Sequence, residues 1–169
     1  MSREGALLVT ILFALAVLGV LAWAWWRRTR RDAGLAAPVG EAPAGAQVLA
    51  EFSGLYVATT VHDDPLERLA IRRLGFRSKA DLTVTDAGVA LDLTGSPRIF
   101  LPADRLTGVG QSTVAIDRVV ERDGLARLSW LIDDDRIVDT YFRPQNDSAR
   151  AIVDAVRPLV PSTPTGSDA

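Results

Sequence analysis

IVDTYFRPQNDSARAIVDAVRPLV, residues 137–160, changes its apolar period half-way along. Residues 136–142 read as a strand. From Ser148 onward the apolar side chains fall at Ile152, Val153, Val156, Leu159 and Val160, the i, i+1, i+4, i+7, i+8 spacing of one helical face. Asn146 or Asp147 is the expected N-cap, and Pro161 stops the helix. A single amphipathic helix at the end of a strand-rich chain must bury its stripe, and the open end of a curved antiparallel sheet is the available surface.

Upstream, short alternating segments are separated by turn residues at the spacing of all-β sandwiches and barrels. Residues 52–61 carry Leu55, Val57 and Thr59 in period-two order, and Leu69, Ile71 and Arg73 continue the alternation after a turn at residues 62–65. ADLTVTDAGVALDL, residues 80–93, reads as a hairpin turning at Asp86-Ala87-Gly88, and residues 98–101 are a short strand. Residues 106–113 form another candidate strand, in which Gly108 and Gly110 mark a bulge or bend. VVERDGLARLSWLI, residues 119–132, contains Asp123-Gly124, a dipeptide suited to a tight type I′ turn, which predicts a hairpin of residues 114–122 with residues 125–132.

About seven antiparallel strands closed by one C-terminal helix, over residues 51–160, resemble the pleckstrin-homology-like (PH-like) fold, a mainly β barrel or sandwich. The hairpins 80–93 and 119–132 and the strand-to-helix passage 137–160 carry the resemblance. With an N-terminal anchor in front, the chain is similar to the membrane-tethered PH-like proteins of actinobacteria. The resemblance implies an architecture and a binding or scaffold role, not a chemistry.

That anchor is residues 6–26, a run without a charged residue, followed by Arg27, Arg28, Arg30 and Arg31. At about 1.5 Å per residue such a helix spans the roughly 30 Å hydrocarbon core. Trp23, Trp25 and Trp26 stand at the arginine end, where amphipathic rings prefer the headgroup layer. Four arginines after the span against Arg3 before it predict a single-pass protein of the cell membrane, N-terminus outside and C-terminal domain in the cytoplasm. A cleaved signal fits poorly, because the apolar run is long and tryptophans and arginines occupy the cleavage region. No G-x-x-x-G marks a helix-pairing face.

Residues 1–31 are therefore the anchor with its basic stop, 32–47 a flexible Ala/Gly/Pro linker, 48–160 the PH-like domain and 161–169 a disordered tail. As a coil the linker would measure about 20–24 Å end to end. Beyond residue 31 there are 14 basic and 20 acidic residues, a net charge of −6, which excludes general nucleic-acid binding. The chain has no cysteine, which removes thiol chemistry and cysteine-based metal sites.

Arg68, Arg72, Arg73, Arg77 and Lys79 form a basic stretch with no intervening acid, the candidate site for an anionic ligand, in the place where the resemblance puts the lipid-binding residues of PH-like domains. On a strand these residues would point to opposite faces and could not all converge. His62-Asp63-Asp64 reads as a polar turn closed by Pro65 rather than a metal or catalytic site. A pocket holding His62 near a carboxylate and a serine would favour an enzyme. Asp133-Asp134-Asp135 reads as a hairpin turn, and Gly108-Val109-Gly110 lacks the rest of a nucleotide-binding fingerprint. No catalytic, metal-binding or cofactor-binding residue is expected, and no cofactor. The expected function is a membrane-tethered binding or scaffold module recruiting a protein partner at the inner membrane face. An anionic-lipid sensor, or an accessory subunit of a membrane enzyme or transport complex, is the alternative.

Overall fold

A computed structural model describes residues 3–32, 34–115, 118–119 and 124–161. They divide into two compact units, Met1–Gly34 and Leu35–Ala169. The tail expected to be disordered begins with Pro161 and otherwise lies outside the described residues, as does Asp123 of the expected tight turn.

In the first unit, helix α1 (Arg3–Asp32) contains the one helix segment among the described residues long and apolar enough to cross a bilayer, Leu7–Arg27. Its leucines, valines and the three tryptophans are exposed, as a lipid-facing helix requires. At its basic end the Arg27 guanidinium lies 5.5 Å from the centre of the Trp23 ring and that of Arg30 4.1 Å from Trp26, both i, i+4 cation–π pairs. The side chains of Arg28 and Arg31 lie outside the description.

The second unit is an eight-stranded antiparallel sheet: β1 (Val48–Val61), β2 (Asp64–Arg68), β3 (Ser78–Thr85), β4 (Gly88–Leu93), β5 (Ile99–Pro102), β6 (Leu106–Ser112), β9 (Leu125–Leu131) and β10 (Ile137–Pro144). The order is β5-β4-β3-β1-β10-β9-β6, with β2 folded back on β1. A separate two-stranded ribbon, β7 (Val114–Ala115) with β8 (Arg118–Val119), interrupts the β6–β9 connection. Strand β1 holds the sheet together. Its first half pairs with β3 and its second half with β10, and at Gly54 both partners are engaged. A Cβ there would come within 2.2 Å of the Arg143 carbonyl and 2.9 Å of the Phe142 ring, so only glycine allows the crossing.

Helix α2 (Ala149–Val156) seals one end of the core. Its cap is Ser148, whose side chain accepts from the Ala151 amide at 3.1 Å, not Asn146 or Asp147. Pro158 then tightens the chain into a 3-10 turn, Arg157–Leu159, because it has no N–H for the next α-helical bond. Ile152, Val153 and Val156 are fully buried, each contributing on the order of 1.5–3 kcal/mol. Ile152 and Val156 join a core of Trp130, Phe142, Leu82, Leu91 and Leu128. Through it runs a chain of hydroxyls. Trp130 Nε1 donates to Thr140 Oγ1 at 2.9 Å, Thr140 bonds Thr59 at 2.9 Å, Thr59 bonds the Tyr56 hydroxyl at 3.0 Å, and Tyr56 donates to the Leu74 carbonyl at 2.7 Å. Burial pushes the Tyr56 phenol up to about 12.

Three expectations change. The partner of β9 is β6, in the register Val109↔Leu128; of residues 114–122, the described 114–115 and 118–119 pair with each other as the short β7–β8 ribbon. Leu69, Ile71 and Arg73 belong to a loop rather than a strand: Leu69, Ile71 and Leu74 are buried, and Arg73 adopts φ 78. Residues 35–41 are not a flexible tether. Leu35 and Ala37 are buried in the core; Val39 bridges Ile99, the Phe100 amide donates to the Pro38 carbonyl at 3.1 Å, and the Gly40 amide to the Arg98 carbonyl at 3.2 Å. Pro38, lacking an N–H, serves as an edge residue that only accepts. Arg98 locks the strap, gripping Asp92 at 2.7 and 2.8 Å and Glu41 at 2.9 Å; these exposed pairs are worth no more than about 1 kcal/mol each. The bonds to Asp92 hold the Arg98 guanidinium more firmly protonated.

Candidate functional site

The loop between β2 and β3 is built on apolar pegs. Leu69, Ile71 and Leu74 enter the core, the Leu69 amide donates to the Thr59 carbonyl, and the Arg72 amide donates to the Leu35 carbonyl at 3.3 Å. With these pegs inward, Arg72 and Arg73 between them turn out, and Phe76 and Arg77 after them and Lys79 on β3 are exposed too. The loop thus brings Arg72 and Arg73 to one cleft, while Lys79, already on β3, lines another beside Asp81 and Asp92. Arg68 ends β2 with its Nε and Nη2 buried and its charge against the Tyr56 hydroxyl.

Phe76 was not foreseen. It is 87% exposed, more than any other large apolar side chain among the described residues, and it stands between Gly75 and Arg77 in RRLGFRSK, residues 72–79. The only signal in the sequence was an aromatic ring in a run of cations, off the alternation of its neighbours. Beside it, a half-open cleft of about 370 Å³ is lined by Arg72, Arg73, Phe76, Ser78 and, from the β4–β5 turn, Thr94 and Ser96. The Ser78 hydroxyl is buried and has no hydrogen-bond partner among the described residues. Two guanidiniums, two further hydroxyls and an aromatic ring suit an anionic group attached to an apolar body.

A second polar cluster surrounds Asp139, which is fully buried on β10. Its Oδ1 accepts from Ser129 Oγ at 2.6 Å and from His62 Nδ1 at 2.9 Å; its Oδ2 accepts from the Asp63 amide at 3.1 Å and lies 3.7 Å from Arg127 Nη1. The fold therefore does bring His62, a carboxylate and a serine together, but in the order His–Asp–Ser. The serine donates to the carboxylate, and no hydrogen bond joins it to the imidazole among the described residues, so the serine–histidine contact of a Ser-His-Asp triad is missing. His62, Asp63 and Asp139 also offer ligand atoms within 4.8 Å of one another. Both oxygens of Asp139 accept from protein donors and Arg127 stands 3.7 Å away as the cation, so the group reads as an ion-pair network, in which Arg127 Nε is buried without a hydrogen-bond partner. Burial, and then the Asp139 charge, push the nearby Tyr141 phenol up. Asp63, in a left-handed conformation at φ 59, makes the turn that aims its amide at Asp139.

Residues 34–157 match the family model described as Bacterial PH domain-like. Comparison with curated proteins finds no match. Among solved structures, the chain is similar to the C-terminal domain of an unknown protein from Leishmania infantum, at 11% identity and TM-score 0.44, covering 69% of this chain and 86% of that one. It is also similar to the C-terminal phosphotyrosine interaction domain of mouse APBB2, at 14% identity and TM-score 0.49, covering 76% and 96%.

Proposed function

Because the chain belongs to the bacterial PH domain-like family, whose members share a general protein- or lipid-binding fold, we propose that it is a single-pass membrane protein whose cytoplasmic PH-like domain recruits a protein partner at the inner face of the membrane. The anchor Leu7–Arg27 and its arginine flank support the placement, with the N-terminus outside. The difference between the two sheet edges supports the binding. The β5 edge is already taken by the chain's own strap, residues 38–40, whereas no strand lies beyond β6 among the described residues. An extended segment of a partner can add to β6, gaining backbone hydrogen bonds, with helix α2 alongside to select its side chains. The Asp139 cluster lacks the serine–histidine contact of a triad, and a role beside a membrane enzyme or transporter would pass through such a partner.

The test is a photo-crosslinking amino acid at Gln111, exposed on β6, in the full-length chain in native membranes, with Asp104 as the control position. A discrete protein adduct from position 111 and none from position 104 is expected. Identical patterns from both positions would remove β6 as the docking edge.

A further inference from the structure

We infer that strand β6 pairs with itself: the protein docked on it is a second copy of this chain, joined antiparallel about a two-fold axis at Val109. The inference rests on the reading of β6 as the docking edge and names its occupant. Three observations carry it.

The first is the contrast between the two edges. Of the strands in the eight-stranded sheet, only β5 and β6 carry no charged residue, and they stand at the two ends of its order. An uncharged edge is a template for further pairing unless something covers it. The chain covers β5 with its own strap, through the Pro38 carbonyl and the Gly40 amide. Among the described residues no strand pairs with the outer edge of β6, and its uncharged run extends over residues 106–116 without a proline.

The second is glycine. A Cβ at Gly54 or Gly88 would come within 2.2 Å of a backbone carbonyl, so packing inside the chain demands those two. Gly108 and Gly110 differ. A Cβ at 108 would lie 3.4 Å from Ser129 Cβ and one at 110 would lie 3.9 Å from Arg127 Nη2, ordinary contacts, and neither residue has a left-handed φ. No contact among the described residues requires them, although glycine weakens a strand interior; it is kept where another backbone comes close. The third is register. Centred on Val109, the pairing sets Gly108 against the second copy's Gly110, Thr107 against Gln111 and Leu106 against Ser112. The flanking Arg105 and Asp104 then face Thr113 and Val114, so no acid meets an acid although each chain carries −6 beyond its anchor. The two valines meet on the axis, with only bare glycine backbone on either side of them. Such an interface is isologous, and a strand of this length paired throughout makes about six to eight backbone hydrogen bonds.

The absence of native cysteine permits a register-specific test on the full-length chain, in native membranes under a mild oxidant. Val109→Cys should give a disulfide-linked dimer. Gln111→Cys should not, because in this register its two copies stand about 13 Å apart, beyond the reach of a disulfide. Adding Gly108→Glu and Gly110→Glu to Val109→Cys sets like charges opposite each other at positions where the chain itself has room, and should lower the dimer yield about tenfold in a protein that still unfolds cooperatively. As a second measurement, the photo-crosslinked adduct from position 111 should have twice the mass of the chain. An adduct there with a different protein, without a disulfide at position 109, would overturn self-pairing and leave β6 as a docking edge. Neither adduct nor disulfide would overturn both readings. Equal dimer yields from positions 109 and 111, or a yield that the glutamates leave unchanged, would mark random collision and overturn the inference.

Discussion

If the strap belongs to the fold, Leu35→Ala must cost as much as a core mutation. Leu35 is 7% exposed and packs in the same cluster as Ile71, Leu74 and Ile99. Truncating a buried leucine costs 2–5 kcal/mol in general; residues 35–41 form an edge that can partly collapse into the space, so about 2–3 kcal/mol is expected here. For a domain of this size that corresponds to a fall in Tm of roughly 6–15 °C. The assay is calorimetric unfolding of the full chain in nanodiscs, with Gln47→Ala as an exposed control. Hydrogen exchange gives a local readout, because the Phe100 and Gly40 amides donate to and from the strap. Both should be protected in the parent protein, and both should exchange faster in Leu35→Ala while the β1–β3 amides keep their protection. A Tm within about 2 °C of the control, with the Phe100 amide exchanging as fast as an open coil, would refute the bound strap. It would restore a flexible linker of about 20–24 Å.

Thr140→Val removes the acceptor of the buried Trp130 Nε1 and one partner of Thr59, and is expected to destabilise by about 1–3 kcal/mol in thermal unfolding; a loss under about 0.5 kcal/mol would show that the hydroxyl chain is dispensable. Gly54→Ala should cost at least about 2 kcal/mol, since its Cβ meets backbone at 2.2 Å, whereas Gly40→Ala, 3.9 Å from Phe100 Cβ, should stay within about 0.5 kcal/mol; equal costs would sink the close-crossing explanation. Because the Tyr56 phenol is pushed from 10.0 up to about 12, the folded state holds its proton more tightly than the unfolded state. The resulting stability is complete below pH 10 and is lost as pH rises through 12, on the order of 2–3 kcal/mol, with Tyr141 acting in the same direction. Tyr56→Phe should flatten most of that alkaline loss; an unchanged profile would assign it to other groups.

The elements legible in the sequence are those whose signal is local. The β3–β4 hairpin shows its alternation and its Asp86-Ala87-Gly88 turn, and α2 shows its stripe at Ile152, Val153 and Val156. Strand β6 was marked by its glycines as bulged, and its register does shift between Leu106 and Gly108. Strand partners were less visible. Residues 114–122 adjoin 125–131 in sequence, but β9, with Ala126, Leu128 and Trp130 buried, is paired by β6, and nothing local in the sequence announces that the described 114–115 and 118–119 pair with each other instead. The strap was hidden by composition: Leu35, Ala37 and Val39 do alternate, but prolines and glycines around them read as a break. At the candidate site the basic residues were legible one by one. That Arg72 and Arg73 share one cleft was not, because it depends on Leu69, Ile71 and Leu74 serving as loop pegs rather than as one face of a strand. The His62–Asp139–Ser129 contacts join residues 77 and 10 positions apart in sequence, through sheet register that no short window contains.

The most direct measurement of a tethered, cytoplasm-facing domain again uses the cysteine-free background. Ser2→Cys and Asp104→Cys, each in the full-length chain, are exposed to a membrane-impermeant maleimide in intact and then in permeabilised cells. A single span with its domain inside is expected to give labelling of position 2 in intact cells and of position 104 only after permeabilisation. Labelling of position 104 in intact cells would contradict it.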